Sequence, residues 1–128
     1  MTVKNLINKT MNKTIIFSIF GIYHILYGFF TTGAIFFAHV YLNSAFIPKS
    51  FRWENGRLKD DLRLFKYSMI ILDLIEIGLL IFILYYINMW FLTKTNYLKN
   101  KFKLSLVTAI ITILVAPIIY FLILQLTL

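Results

Sequence analysis

Two acids, Asp73 and Glu76, interrupt an otherwise uncharged run from Tyr67 to Leu92. Two histidines, His24 and His39, lie in a second uncharged run from Thr14 to Pro48. On a helix Asp73 and Glu76 are i,i+3 neighbours and share a face. A carboxylate near the bilayer centre costs about 2.5–3.5 kcal/mol on insertion scales, so such groups are protonated, paired or turned to a polar cavity. Counted inward from the loop between the runs, Asp73 lies as deep as His39, and Glu76 as deep as Thr31 and Thr32. This predicts an Asp73–His39 hydrogen bond and a Glu76–threonine contact joining the two runs. The alternative use of the acids is a proton or cation path shared with other chains. A third apolar run offers only Ser105, Thr108, Thr112 and Tyr120 to continue such a path.

Imidazole is the usual axial donor to haem iron, so His24 and His39 are candidate haem ligands. They lie about 22 Å apart along a helix and cannot share one metal. There is no third histidine, so each haem would take its second ligand from a partner chain. Packing is the competing reading. At about 100° per residue, Gly21, Gly28, Thr32 and His39 fall within about 40° of one another, with Ser18, His24 and Thr31 alongside. Small and hydroxylated residues in one stripe let helices approach closely in lipid. The set expected to contact other helices or a partner is therefore Gly21, His24, Gly28, Thr32, His39, Asp73 and Glu76.

The elements that position these residues follow from where charge is missing. A membrane-spanning helix needs about 20 largely apolar residues. Three runs exceed that length, giving spans of about 15–42, 67–92 and 104–127 around a polar loop, 43–66. Before the first span, Val3, Leu6, Ile7 and Met11 recur at helical spacing. That predicts a short amphipathic segment on the membrane surface, with a frayed polar tail as the alternative. The first apolar run far exceeds the roughly 7–15 residues of a cleavable signal peptide, so the first helix is expected to stay. In the loop, Glu54-Asn55-Gly56 reads as a turn, and Asp60 or Asp61 as the cap of the second span. Phe46, Phe51 and Trp53, and at the far end Tyr85, Tyr86, Trp90 and Phe91, are expected at headgroup level. Pro117 is expected to kink the third span.

Composition removes whole classes of function. The chain of 128 residues is 60% hydrophobic and 14% charged, whereas a soluble domain is about half apolar and a quarter charged. A soluble enzyme is excluded. The absence of cysteine removes disulfides, thiolate metal sites and a cysteine nucleophile. No phosphate-binding Gly-rich loop, His-Glu-x-x-His pattern or nucleophile–base grouping is present. Lys and Arg outnumber Asp and Glu by 13 to 5, and they lie in short segments beside the membrane. Their expected partners are anionic headgroups rather than nucleic acid. Lys4, Lys9, Lys13, Lys94, Lys99, Lys101 and Lys103 fall on one side, and Lys49, Arg52, Arg57, Lys59, Arg63 and Lys66 on the other. By cation count the amino terminus is favoured inside by a margin of one.

Gly21-Ile22-Tyr23-His24-Ile25-Leu26-Tyr27-Gly28 resembles the Ser-Ile-x-His-Arg-x-x-Gly opening of the cytochrome b membrane anchors of succinate dehydrogenase, which also have three spans. The quinone-site Ser and Arg of those anchors are Gly21 and Ile25 here, and the second span lacks their haem histidine. Trp53-Glu54-Asn55-Gly56, followed by Asp73 and Glu76, is similar to the Tyr-Glu-Cys-Gly loop and acidic second helix of subunit 3 of respiratory complex I. The cysteine is missing and the acids are spaced differently. The Lys-, Asn-, Ile-, Phe- and Tyr-rich composition looks like that of small immunity proteins against pore-forming bacteriocins.

The expectation is an all-α integral membrane protein, a single membrane domain of three transmembrane helices with a short amphipathic amino-terminal segment. Its expected role is that of a small non-catalytic subunit of a larger membrane complex, the resemblances implying a respiratory-chain setting in a mitochondrial inner or bacterial cytoplasmic membrane. The alternatives are a bacteriocin immunity protein and a small oligomeric transporter or channel component. No cofactor is expected in this chain alone, any haem or quinone being shared with partner subunits.

Overall fold

The computed structural model describes the backbone of residues 3–95 and 100–127, and the side chains of 13–95 and 100–126. Three long helical stretches run through it. The first is α1 (Val3–Phe37), continued without interruption by a π-helical turn, Ala38–Leu42, and a last short turn, α2 (Asn43–Phe46). The others are α3 (Arg63–Lys94) and α4 (Lys101–Thr127). Their membrane-compatible portions are Lys13–Phe46, Arg63–Lys94 and Lys101–Leu126. In hydrocarbon backbone N–H and C=O groups must be satisfied within the segment, which is what continuous helices provide. The shortest, 26 residues, is about 39 Å long against a hydrocarbon core of about 30 Å. All three therefore reach into the headgroup layers or tilt. The amino-terminal segment is helical from Val3 and runs directly into the first span. Its side chains up to residue 12 lie outside the described residues, as do residues 96–99 of the second loop.

The first span ends for a local reason. Ile47 is extended (φ −75, ψ 131) because it precedes Pro48, whose ring disfavours helical backbone in the residue before it. A single 3₁₀ turn (Lys49–Phe51) leads to a two-stranded hairpin, β1 (Trp53–Glu54) and β2 (Arg57–Leu58). Its register pairs Trp53 with Leu58 and Glu54 with Arg57. Asn55 (φ 51) and Gly56 (φ 77) form the turn; positive φ at both central positions defines the type I′ turn that Asn-Gly favours.

Neither candidate acid caps the second span, whose N-cap is Leu62 with no side-chain cap hydrogen bond; Asp61, the residue before it, instead holds the start of the helix from outside. Its Oδ1 accepts the Arg63 backbone N–H at 3.0 Å, and its carboxylate also accepts from the Arg63 guanidinium at 2.8–3.1 Å. The guanidinium, and then the backbone N–H, hold the Asp61 carboxyl down at about 2 against an ordinary value of 3.8. A carboxyl lowered by folding contributes stability that is fully present above the unfolded value. That contribution is lost as pH falls through about 2. An NMR titration is expected to find Asp61 near 2 at low salt, and Arg63→Gln to return it towards the ordinary carboxylate range.

α4 lies against both α1 and α3, which approach each other less closely. The interior is unusual for a folded chain because polar and apolar groups share it. Leu84, Leu92, Ala109 and Ile113 are buried, and so are Thr31, Thr32, Asn43, Asn88 and Ser105. Lipid tails are as apolar as leucine, so water exclusion does not drive these helices together; close packing and hydrogen bonds do. Pro117 lies inside α4, where it deprives the Ile113 carbonyl of its helical donor. Trp90 and Tyr86 face outward. Phe91 does not: it turns inward, its ring 5.7 Å from those of both Phe20 and Tyr23.

Candidate functional site

The polar residues of the spans collect in two layers. The layer nearer the hairpin is built around Asp73 of α3. His39 Nδ1 lies 2.8 Å from Asp73 Oδ2, and Asn43 Nδ2 donates to Asp73 Oδ1 at 2.5 Å. The two span-one groups take one carboxyl oxygen each. The histidine contact is the one that counting depth from the loop predicts. The asparagine is not foreseen, because a regular helix reading leaves Asn43 in the polar loop.

A π turn precedes it. Asn43 N–H donates to the Ala38 carbonyl, five residues back, instead of the usual four. The extra residue in this turn keeps Ala38 and Asn43, both buried, on the same side of the helix. On a regular helix at about 100° per residue they would stand about 140° apart. His39 and Asn43, four residues apart, share a face on either kind of turn and reach one carboxylate together.

Glu76 lies one turn deeper than Asp73. The predicted threonine contact is absent, and the reason is local. Thr31 Oγ1 donates to the carbonyls of Tyr27 (2.9 Å) and Gly28 (3.1 Å), and Thr32 Oγ1 to that of Gly28 (2.8 Å). Back-bonding of this kind satisfies a buried hydroxyl within its own helix. Glu76 Oε2 is consequently buried with no hydrogen-bond partner, and so is Asn43 Oδ1.

The second layer, towards the opposite surface, ties all three helices together. Tyr23 OH of α1 donates to Asn88 Oδ1 of α3. The Asn88 amide donates in turn to Thr108 Oγ1 (2.9 Å) and the Ser105 carbonyl (3.2 Å) of α4. Asn88 is fully buried. A reading that follows charge alone passes over it, although an uncharged amide inside an apolar run carries the same message: it must find partners in the bundle. Between the layers, Tyr27 OH donates to the Leu80 carbonyl at 3.2 Å.

The small-residue stripe divides. A Cβ on Gly28 would stand 2.8 Å from Ala116 Cβ and 3.3 Å from Thr112 Cγ2, so α1 and α4 cross in contact at this point. A Cβ on Gly21 would meet nothing within 4 Å, which takes Gly21 out of the packing face between this chain's own helices. At its level the rings of Phe20, Tyr23 and Phe91 fill the crossing. Gly28→Ala is expected to destabilise the bundle by about 1 kcal/mol, the low end of overpacking costs, while Gly21→Ala is neutral or slightly stabilising. Reversible unfolding in detergent measures both, and Ala116→Gly should relieve the first.

His24 is packed rather than presented. Its Nδ1 donates to the Phe20 carbonyl at 2.6 Å, and its ring lies 4.2 and 4.3 Å from those of Phe20 and Tyr23. Its Nε2 is buried without a partner. A haem iron would have to displace the chain's own packing to reach that nitrogen. His39, half exposed, has its Nδ1 engaged by Asp73. No group of three or more His, Cys, Asp or Glu able to hold a metal ion occurs among the described residues.

The fold and these layers define the class: an all-α integral membrane protein with three transmembrane helices, held by polar and small-residue contacts. Neither a protein-family model, nor a curated protein, nor a solved structure matches this chain.

Proposed function

We propose that this chain is a non-catalytic integral membrane subunit, working by helix–helix docking within a larger membrane assembly. One observation carries the reading. Glu76 sits close to the middle of the second span, and its buried Oε2 has no donor. Asp73, one turn away, has two. An acid kept in hydrocarbon with an oxygen unbonded is costly, and a donor from a neighbouring subunit that reached the carboxyl, moving the chain's own atoms that cover Oε2, would remove that cost. The thin interior supports the same reading, since only 6–11% of each span's most apolar stretch is buried by the chain itself. The setting we favour is a respiratory-chain complex in a mitochondrial inner or bacterial cytoplasmic membrane, on the two partial resemblances of Gly21–Gly28 and Trp53–Gly56. Any haem or quinone would be shared with partner chains.

The test is purification in mild detergent, followed by mass spectrometry and an absorption spectrum. Stoichiometric respiratory subunits are the expected result. A lone monomer whose expression protects cells from a pore-forming toxin would replace this reading with immunity. Substrate flux into liposomes holding only this chain would replace it with transport.

A further inference from the structure

Between α1 and α4 runs a groove of about 380 Å³ along the side of the bundle. Ile25 and Phe29 form its α1 wall; Thr112, Val115 and Ile119 lie on its α4 wall. Apart from Thr112 these side chains are open to the surroundings, from 41% at Val115 to 73% at Ile25. Beyond Pro117, every residue of α4 from Ile118 to Leu126 is exposed. A wholly apolar groove of this kind would be filled by lipid tails, and one atom makes that filling inadequate. Thr31, Thr32, Thr93 and Thr108 each donate to a carbonyl of their own helix. The Thr112 hydroxyl makes no hydrogen bond among the described residues. Its Cγ2 is turned to Gly28 across the helix crossing, and its Oγ1 is not enclosed by the chain as the Ser105 and Glu76 oxygens are. Thr112 lies close to the middle of the third span. An unbonded hydroxyl is costly there, and acyl chains offer it neither donor nor acceptor.

Depth and spacing select the occupant. Copies of this chain inserted the same way bring Thr112 to the same depth, and a hydroxyl both donates and accepts. Across a two-fold axis along the membrane normal the same residue faces itself, so one Thr112 donates to the other. Thr112, Val115, Ile119, Leu122 and Leu126 recur at intervals of three and four, the seam by which two parallel helices wind about each other. A single polar residue in such a seam fixes its register. At about 100° per residue Pro117 falls opposite the seam, so its ring does not interrupt the contact.

We propose that this groove is the interface of a homodimer, in which two copies pair their α4 helices along the Thr112–Leu126 seam and share a Thr112–Thr112 hydrogen bond. Glu76 does not line the groove, so this contact stands apart from the assembly reading and holds whether or not a further subunit docks at Glu76.

The chain has no cysteine, so single cysteines report the contact without background. The pure protein is reconstituted in phosphatidylcholine vesicles at low protein-to-lipid ratio and oxidised. Ile119→Cys and Leu122→Cys are expected to give disulfide-linked dimers. Leu114→Cys and Phe121→Cys, about as exposed but on the other side of α4, should give none. Energy transfer between copies labelled at the amino terminus measures the dissociation constant. Thr112→Val should raise it about threefold, the mean strength of a hydrogen bond between membrane helices, while Thr112→Ser leaves it near the native value. Equal cross-linking at all four positions would show random collision, and none at any position would show a monomer; either result overturns the proposal. A dissociation constant indifferent to Thr112→Val would overturn the role of the hydroxyl. Cross-linking of Ile119→Cys in native membranes to a different protein alone would overturn the proposal in favour of a foreign helix.

Discussion

Asn88→Leu is expected to destabilise the three-helix bundle by about 2 kcal/mol, although leucine is close to asparagine in size and better suited to lipid. The substitution leaves Tyr23 OH, which donates to Asn88 Oδ1, without an acceptor, and an unpaired buried donor costs about 1–3 kcal/mol. It also removes two donors to α4. The acceptors there lose less, because Thr108 keeps its own bonds to the Leu104 and Ser105 carbonyls. Tyr23→Phe in the same background separates the contributions. If the orphaned hydroxyl dominates, the double variant regains stability relative to Asn88→Leu alone. If the two losses add, the layer is less cooperative than its geometry implies. Pairwise couplings inside membrane proteins average about 0.6 kcal/mol and reach about 1.7, and the Tyr23–Asn88 pair should lie in the upper part of that range.

The second large effect belongs to Asp73. Asp73→Ala should cost about 2 kcal/mol, because Asn43, fully buried, then loses the acceptor for its amide as well as lacking a donor to Oδ1. His39 is half exposed and can turn outward, so the loss of its partner matters less. This ordering is itself testable. In double-mutant cycles, Asp73→Asn should couple to Asn43→Ala more strongly than to His39→Ala, with both couplings above zero. Additivity of Asp73→Asn and His39→Ala would contradict the pairing of the two spans at this depth.

How far such pairs can be read from sequence depends on the path of the chain between them. Asp73 and His39 are legible because both are reached by counting inward from one short loop, and a half-turn error still leaves an acid beside an imidazole. Asn43 is passed over because the first span is ended at residue 42, where polar residues begin, whereas the helix runs on to Phe46 and keeps Asn43 on the face of His39. Gly28 is legible as a crossing point and Gly21 is misleading for a different reason. A stripe records only one helix, whereas contact depends on what the partner helices place opposite it. Opposite Gly28 they place Ala116; at the level of Gly21, aromatic rings hold the helices apart. The failed Glu76–threonine contact follows from the same limit. Depth brings the residues level, but a threonine on a helix already has a carbonyl acceptor one turn back.

The polar residues of the spans divide the labour in the membrane. Asp73 ties the first two spans together and Asn88 ties all three helices, and on the proposed function Glu76 is left for a neighbour. A photoreactive side chain at Leu79, exposed and one turn from Glu76, tests this most directly in native membranes. The account predicts a single adduct of defined mass with another integral membrane protein, lost on Glu76→Leu and retained on Glu76→Gln. Adducts with lipid alone, or a protein adduct indifferent to Glu76→Leu, would contradict it.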